Sequence, residues 1–220
     1  QKAYIAYVKL VPLSAQQVAD LQADRARKDT RLLQATIDGI SYFWGNEYRT
    51  KEHIMELIEP YRYSDVGKVI WAVNYGDRTN YPTKVGTFWA KQAVSIATAS
   101  NAYMVGKKAA SDGLSSLAKK GLIPVAVAAQ HAHAMGLKFD VMFRLSVAGS
   151  LPPMCDAKSF VETHPQFRQV MQDGTSVEKA SYAFPEVRKH MVSLIREATE
   201  TFDVDGVNLC FKRGPEFMAY

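Results

Sequence analysis

Four short apolar runs, separated by stretches with helical spacing, constrain the fold of this 220-residue chain more than any other feature. The runs lie near 32–37, 68–75, 137–145 and 206–211. Apolar strands that alternate with helices are typical of parallel βαβ units with right-handed crossovers. We therefore predict an α/β fold whose four strands are parallel and adjacent in chain order.

The stretches between the runs carry local helix signals. Thr50 is a candidate N-cap, and Pro185 precedes apolar residues at helical spacing. The region 112–135 is predicted to be helical in two pieces, with a break at Gly121 and Pro124. These connections supply the helices that parallel strands require.

The first thirty residues differ from the rest of the chain. Residues 1–12 alternate as a strand does, and Ser14 is a candidate N-cap for a helix that reaches Lys28. We expect residues 1–30 to form an accessory element or linker, and residues 31–220 to form the main βα unit.

The number of strands fits two architectures. An eight-stranded βα barrel needs about 250 residues, whereas an open doubly wound sheet fits in roughly 150–200. No predicted strand is followed by GxGxxG or GxxxxGK[ST], so we expect no nucleotide cofactor. The number of predicted strands is therefore compatible with both architectures.

Composition and charge exclude several classes of partner. The formal net charge is +5, but the densest basic stretch, Arg25–Lys28, lies between Asp24 and Asp29 and is typical of a solvated helix face. We expect no nucleic-acid partner, and no apolar run is long enough to span a membrane. The start at Gln1, without Met, indicates a removed signal peptide or a trimmed chain, and we expect a secreted or periplasmic protein.

Two segments carry a family resemblance. They are AAQHAHAMGLKFDVMFR at 128–144, and FPEVR at 184–188 followed by FDVDGVNLCFKR at 202–213. In order and spacing they resemble motifs of the family-10-like glycosyl hydrolases, over about residues 30–220. The resemblance implies a TIM-barrel-like fold, a carbohydrate substrate and acid/base hydrolysis.

The sequence departs from that family in two ways. Cys210 stands where the family block tends to carry an aspartate, and a thiol cannot act as a carboxylate. The chain stops at Tyr220, just after the fourth predicted strand. We therefore expect the N-terminal part of a longer barrel, and a catalytically silent carbohydrate-binding barrel is the alternative function.

Candidate site residues follow the predicted strands, because a βα barrel carries its active site at the carboxyl ends of its strands. We expect Asp38, Asn74, Arg144 and Asn208 to converge there. The candidates for substrate binding are Asp38, Trp44, Asn74, Tyr75, Arg78, Arg144, Asn208 and Arg213.

Glycoside hydrolysis usually needs two carboxyl groups, one protonated and one ionised. Glu216 is the candidate acid, because Phe211 and Phe217 could raise its pKa by desolvation, although the sequence favours a solvent-exposed loop position for this residue. Asp77 is its candidate partner, with Asp38 as the alternative, and both also suit a turn. A third alternative places the partner carboxylate in the missing half of the barrel.

The remaining candidates have a binding and a structural interpretation. Arg144 could hold sugar hydroxyls or the carboxylate of an acidic sugar, or form a structural ion pair with Asp140 or another acid at a strand end. Trp44, Tyr75 and Tyr81 are candidate stacking platforms, whereas a strand position indicates that Trp71 belongs to the core.

No metal site is expected. His131 and His133 are two residues apart, so on one helix they cannot form the i, i+4 pair of a zinc motif.

Overall fold

A computed structural model describes residues 7, 9–27, 32–45, 48–89, 102–145 and 159–211. Its helices are α1 Ala15–Ala26, α2 Lys51–Glu56, α3 Ala102–Lys119, α4 Pro124–Ala134, α5 Phe160–Thr163 and α6 Pro185–Thr201. Its strands are β1 Leu33–Ile37, β2 Val66–Ala72, β3 Asn74–Tyr75, β4 Arg78–Thr79, β5 Thr87–Phe88, β6 Lys138–Arg144, β7 Arg168–Val170, β8 Ser176–Ala180 and β9 Gly206–Cys210.

The main sheet consists of four parallel strands in the order β1-β2-β6-β9. Trp71 of β2 pairs with Ile37 of β1 on one side and with Val141 of β6 on the other. Val141 pairs in turn with Val207 of β9. The predicted α/β fold, with four parallel strands in chain order, is confirmed.

Helices cover one face of this sheet. Trp71, Phe139 and Phe143 on that face are fully buried, and they share one core with Ile54 of α2 and Leu194 of α6. Buried residues of α3 and α4 belong to the same core. A doubly wound sheet has helices on both faces and a reversal in strand order, whereas a barrel wall has neither. The described sheet therefore has the arrangement of a TIM-barrel wall.

The opposite face carries a small apolar cluster and an ion pair. Ile70, Ala72 and Met142 are buried there against Cys210. On the same face, two residues earlier along β2 and β6, Lys68 Nζ lies 2.8 Å from Asp140 Oδ2. Asp140 thus pairs with Lys68, and the predicted alternative of an Arg144–Asp140 pair is wrong.

Local capping signals place several helix ends correctly. The Thr50 side chain accepts a hydrogen bond from His53 N, and α2 begins at the next residue. The helix α6 begins at Pro185, as predicted. The helix α3 begins at Ala102, ten residues before the predicted region, and ends before Gly121.

The N-terminal segment contributes no buried side chain within its described residues. Ser14 caps α1 through a reciprocal pair of hydrogen bonds with Gln17. The described residues 7 and 9–12 form no strand, contrary to the prediction for 1–12, and the rest of that stretch lies outside the described residues.

Two small sheets accompany the main one. The strands β3, β4 and β5 form a three-stranded sheet directly after β2, and β7 pairs with β8 in an antiparallel hairpin before α6. Neither was predicted. Within the described part of the chain, no helix is both long and apolar enough to cross a bilayer.

Candidate functional site

The carboxyl ends of β1, β2 and β6 bring four predicted site residues together. Asn74 Oδ1 accepts a hydrogen bond of 2.7 Å from the backbone N–H of Arg144, which joins the ends of β2 and β6. Arg144 Nη2 lies 3.8 Å from Asp38 Oδ2, and its guanidinium lies 4.9 Å from the centre of the Tyr75 ring. Asp38, Asn74, Tyr75 and Arg144 thus form one cluster, which we call the strand-end cluster.

Asp38 is an ionised carboxylate in this cluster. Burial alone would raise its pKa, but hydrogen bonds from the backbone N–H groups of Ser41 and Ile40 and from the Ser41 hydroxyl hold the pKa below its usual value. The nearby Arg144 guanidinium lowers it further. About a third of the side chain is exposed, so the carboxylate is accessible as a hydrogen-bond acceptor.

Arg144 is the buried cation of the cluster, with 8% of its surface exposed. Its contact with Asp38 is longer than a hydrogen bond. Its Nη1 atom is buried and has no hydrogen-bond partner among the described residues. The guanidinium is therefore held by the Tyr75 ring and by charge attraction, without a bidentate carboxylate partner in this part of the chain.

A pocket with a volume of about 220 Å³ opens beside the cluster. Two tryptophans and a tyrosine surround it together with a carboxylate, a hydroxyl and an ammonium group. Its described lining consists of Asp38, Ile40, Ser41, Trp44, Tyr75, Trp89 and Lys107. Aromatic faces with a few convergent polar groups are the usual lining of a small-molecule site.

The helix α3 shapes one side of this pocket. Gly106 lies against Trp44, so close that a Cβ atom at Gly106 would approach Trp44 Cε3 to 2.9 Å. Next to it, Lys107 places its Nζ atom 5.7 Å from the centre of the Trp89 ring. The Tyr75 and Trp89 rings meet edge to face at 6.0 Å.

Asp77 faces a different and smaller cavity, of about 40 Å³. Its Oδ2 accepts a hydrogen bond of 2.6 Å from the backbone N–H of Phe160 and lies 4.0 Å from His190 Nε2. Burial raises the pKa of Asp77 and lowers the pKa of His190. A cavity of this size accommodates water but not a sugar ring.

Arg78 links the end of the sheet to α5. Its side chain is buried, and its Nη2 lies 3.2 Å from Glu162 Oε2. Glu162 also accepts a hydrogen bond from the backbone N–H of Ser159. Arg78 thus has a carboxylate partner, and it lines the Asp77 cavity as well as a narrow cleft beside Asn74.

Several predicted residues lie away from the cluster. Asn208 lies in the middle of β9, in register with Met142, so the expectation that it ends its strand is wrong. Cys210 is in register with Arg144 instead and carries a free thiol. Tyr81 is fully buried in the core and is no platform. Arg213 and Glu216 lie outside the described residues.

The histidines of α4 each contact a separate carboxylate. His131 Nε2 lies 2.7 Å from Glu59 Oε2, and His133 Nε2 lies 2.9 Å from Asp205 Oδ2. No cluster of three or more potential metal-ligating side chains occurs in the ranges that the structure describes.

Sequence reasoning missed Lys107 and His190 as parts of these two pockets. Lys107 and His190 lie within helices, where a charged or polar residue usually faces solvent. Only the packing of α3 and α6 brings these side chains to the strand ends.

No protein-family profile matches the chain. No curated protein matches it in sequence. The resemblance to the family-10-like glycosyl hydrolases therefore rests on the motifs quoted above.

Solved structures share part of the backbone arrangement. A noncanonic maltogenic alpha-amylase from Thermotoga neapolitana is 15% identical, with a TM-score of 0.46 over 83% of this chain and 39% of its own. An alpha-L-fucosidase isoenzyme 2 from Paenibacillus thiaminolyticus is 11% identical, with a TM-score of 0.46 over 80% of this chain and 23% of its own. A chitobiase from Flavobacterium johnsoniae is 11% identical, with a TM-score of 0.41 over 80% of this chain and 22% of its own. This chain thus spans less than half the length of each of these proteins.

Proposed function

We propose that this chain binds a sugar ring in the pocket beside the strand-end cluster and forms part of a glycoside hydrolase. The observation that carries the proposal is the lining of the pocket, in which Trp44, Tyr75 and Trp89 accompany the Asp38 carboxylate. Aromatic faces stack on the apolar faces of sugar rings, and an ionised carboxylate accepts hydrogen bonds from hydroxyl groups. The volume of about 220 Å³ suits a single ring and is too small for a longer chain.

Asp38 is the carboxylate that we assign to this sugar. It already accepts hydrogen bonds from Ile40 and Ser41, which fix its orientation, and its lowered pKa keeps it ionised at neutral pH. An ionised carboxylate is the group that glycosidases use as nucleophile or base. In the proposed reaction Asp38 takes this role, and Glu216, the residue with the sequence signals for an acid, supplies the proton.

Asp77 is the other candidate carboxylate. Its raised pKa suits proton transfer, but its carboxylate faces a cavity of about 40 Å³ that a sugar cannot enter. Asp38 lines the pocket that is large enough for a sugar ring, so we favour Asp38 as the partner of Glu216. Asp77 is the second choice.

A catalytically silent sugar-binding barrel is the second candidate function. Cys210 ends β9 in register with Arg144, on the sheet face that carries the strand-end cluster. A thiol at this position cannot supply the carboxylate that the resembling family block tends to carry. Binding of a sugar without turnover is the expected behaviour of such a protein.

Isothermal titration calorimetry with a panel of monosaccharides and their methyl glycosides tests binding. We expect Trp44→Ala to weaken sugar binding at least tenfold, because the variant removes an aromatic ring that stacks on the sugar from the pocket wall. The matched control is Tyr63→Ala, which removes an exposed aromatic ring that does not line the pocket and should leave affinity unchanged. Equal loss in both variants, or no binding by the wild type, would overturn the proposal.

Turnover of nitrophenyl glycosides separates the two candidate functions. If the chain hydrolyses a glycoside, Asp38→Asn should lower turnover by 10² or more and Asp77→Asn much less, since a positioned acid or base contributes about 10²–10⁴ in rate. Sugar binding without any turnover supports the silent barrel. The reverse ranking of the two variants would assign the reaction to Asp77.

A further inference from the structure

One peptide group links the side chain of Asn80 to the Asp38 carboxylate. The peptide between Gly39 and Ile40 is planar and carries a carbonyl oxygen at one end and an N–H at the other. The carbonyl oxygen, Gly39 O, accepts a hydrogen bond of 2.8 Å from Asn80 Nδ2. The N–H, on Ile40, donates a hydrogen bond of 2.9 Å to Asp38 Oδ1. Asn80 therefore sets the direction in which this N–H points, and hydrogen bonds in such a chain polarise one another.

Asn80 is itself held firmly at the end of β2. The residue is buried, and its backbone N–H donates a hydrogen bond of 3.0 Å to Val73 O. Its Nδ2 also donates a hydrogen bond of 2.8 Å to Ala72 O. Ala72 lies one residue beyond Trp71, the last residue of β2 that is in register with β1. The amide nitrogen has two N–H donors, and it uses them on two backbone carbonyl groups, from the ends of both strands.

Gly39 makes the turn after β1 dependent on this anchor. Its φ is +77°, and glycine adopts such values about as readily as negative ones. Without an anchor the Gly39–Ile40 peptide is free to rotate, which turns the N–H away from Asp38. The turn lies directly on the anchor, since a Cβ atom at Gly39 would approach Ala72 O to 2.0 Å and Asn80 Nδ2 to 2.7 Å.

Asn80 lies next to the sugar pocket without contributing to its described lining. The described lining of the pocket of about 220 Å³ includes Asp38 and does not include Asn80. Asn80 lines the narrow cleft that shares Asp38, Tyr75 and Trp89 with that pocket. Its influence on a bound sugar therefore passes through Asp38.

We propose that Asn80 is a positioning residue that orients the Asp38 carboxylate toward the bound sugar. This inference rests on the proposed function for the role of Asp38, and it adds the residue that prepares Asp38 for that role. With the peptide fixed, the Ile40 N–H stabilises the negative charge of the carboxylate before a sugar arrives, as in other preorganised sites. When the peptide is released, burial remains while a donor is lost, so the pKa of Asp38 rises.

The titration of Asp38 tests this inference without any sugar. The ¹³C signal of its carboxyl carbon, assigned by its absence in Asp38→Asn, is followed by NMR from pH 3 to 7 in the wild type and in Asn80→Ala. We expect the pKa of Asp38 to be higher in Asn80→Ala by about 0.5 or more, because a hydrogen bond to the charged form is lost.

Gln169→Ala is the matched control for this titration. Gln169 is also buried, and its Nε2 donates a hydrogen bond of 3.1 Å to Ala180 O in the β7–β8 hairpin. The control thus removes a buried amide of the same kind and should leave the pKa of Asp38 unchanged. If Asn80→Ala does not fold, Asn80→Ser, which retains one donor, should show a smaller rise in the same direction.

A double-mutant cycle tests whether Asn80 acts through Asp38. Affinity for the monosaccharide that the wild type binds most tightly is measured by calorimetry. We expect Asn80→Ala to weaken binding by about fivefold or more in the wild-type background, since hydrogen bonds to a charged group are strong. In the Asp38→Asn background the same change should leave the affinity within twofold, because the group on which Asn80 acts is already altered.

The outcomes separate this inference from the proposed function. An unchanged pKa of Asp38 in folded Asn80→Ala overturns the positioning role, and so does an equal rise in Gln169→Ala. Equal losses of affinity in the two backgrounds of the cycle also overturn it, while sugar binding stands. A raised pKa in Asn80→Ala without sugar binding by the wild type overturns the proposed function, while the anchoring of Asp38 by Asn80 stands.

Discussion

Asp38 and Asp77 follow neighbouring strands, yet their surroundings shift their pKa values in opposite directions. Burial raises the pKa of Asp77, and the hydrogen bond from Phe160 N together with the nearby His190 and Arg78 does not compensate for it. Asp38 is less buried and accepts hydrogen bonds from Ser41 and Ile40, so its pKa is lowered. The depth of burial and the number of donors that reach each carboxylate together decide which of the two is the stronger acid.

His190 provides a pH test at the Asp77 cavity. Its ring stacks on Phe160 at 4.2 Å, and burial lowers its pKa below the ordinary 6.5. A group with a lowered pKa in the folded state contributes stability that is present above its unfolded pKa and is lost as pH falls through its folded pKa. The free energy of unfolding should therefore fall between pH 7.5 and 5.5.

The variant His190→Phe keeps a stacking ring and removes the titrating group. We expect its free energy of unfolding, measured by urea denaturation, to fall less than that of the wild type over the same pH range. Asp77 has a raised pKa, so its contribution is present below pH 3.8 and is lost as pH rises through the folded pKa, opposite to His190. Equal losses in the wild type and His190→Phe would remove His190 from the acid sensitivity.

Among the elements, α3 controls the shape of the pocket. It presents Gly106 to Trp44 and places Lys107 next to Trp89. A helix that crosses the strand ends in this way brings residues far apart in sequence into one wall.

Gly106→Ala tests this role of α3. Alanine favours a helix over glycine by about 1 kcal/mol, but the new Cβ would lie 2.9 Å from Trp44 Cε3, so the indole must move. We expect a shift in tryptophan fluorescence and weaker sugar binding, with a melting temperature within a few degrees of the wild type. Val105→Ala, at an exposed position on the same helix, is the control. An unchanged fluorescence spectrum in Gly106→Ala would contradict the observed packing.

For the whole molecule, burial in the core between the sheet and its helices determines which substitutions the fold tolerates. Phe143 of β6 is fully buried under the helices, whereas Val207 of β9 is 38% exposed. We expect Phe143→Ala to lower the free energy of unfolding by about 3–5 kcal/mol, because it removes a large side chain and leaves a cavity. Val207→Ala should cost less than about 1.5 kcal/mol, as measured by denaturant unfolding at pH 7.5. Similar losses for the two variants would mean that burial in the core does not decide which substitutions the fold tolerates.

Local patterns were sufficient to predict the main sheet. The runs that became β1, β2, β6 and β9 are rich in apolar residues, and Thr50 and Pro185 mark the starts of α2 and α6. Each of these signals involves only a few neighbouring residues, so it can be recognised in the sequence alone. The short strands β3, β4 and β5 were missed because a strand of only two residues shows no periodicity in the sequence. The pairing of these strands depends on the chain folding back on itself.

The site depended on contacts between distant parts of the chain. The sequence indicated that Asp38, Asn74 and Arg144 follow parallel strands, and strand polarity alone brings such residues to one edge of a sheet. It did not indicate that Asp140 pairs with Lys68 or that Lys107 reaches the pocket. Burial, charge pairing and pocket shape come from side chains that the packing of helices on the sheet brings together, and no short stretch of sequence contains that information.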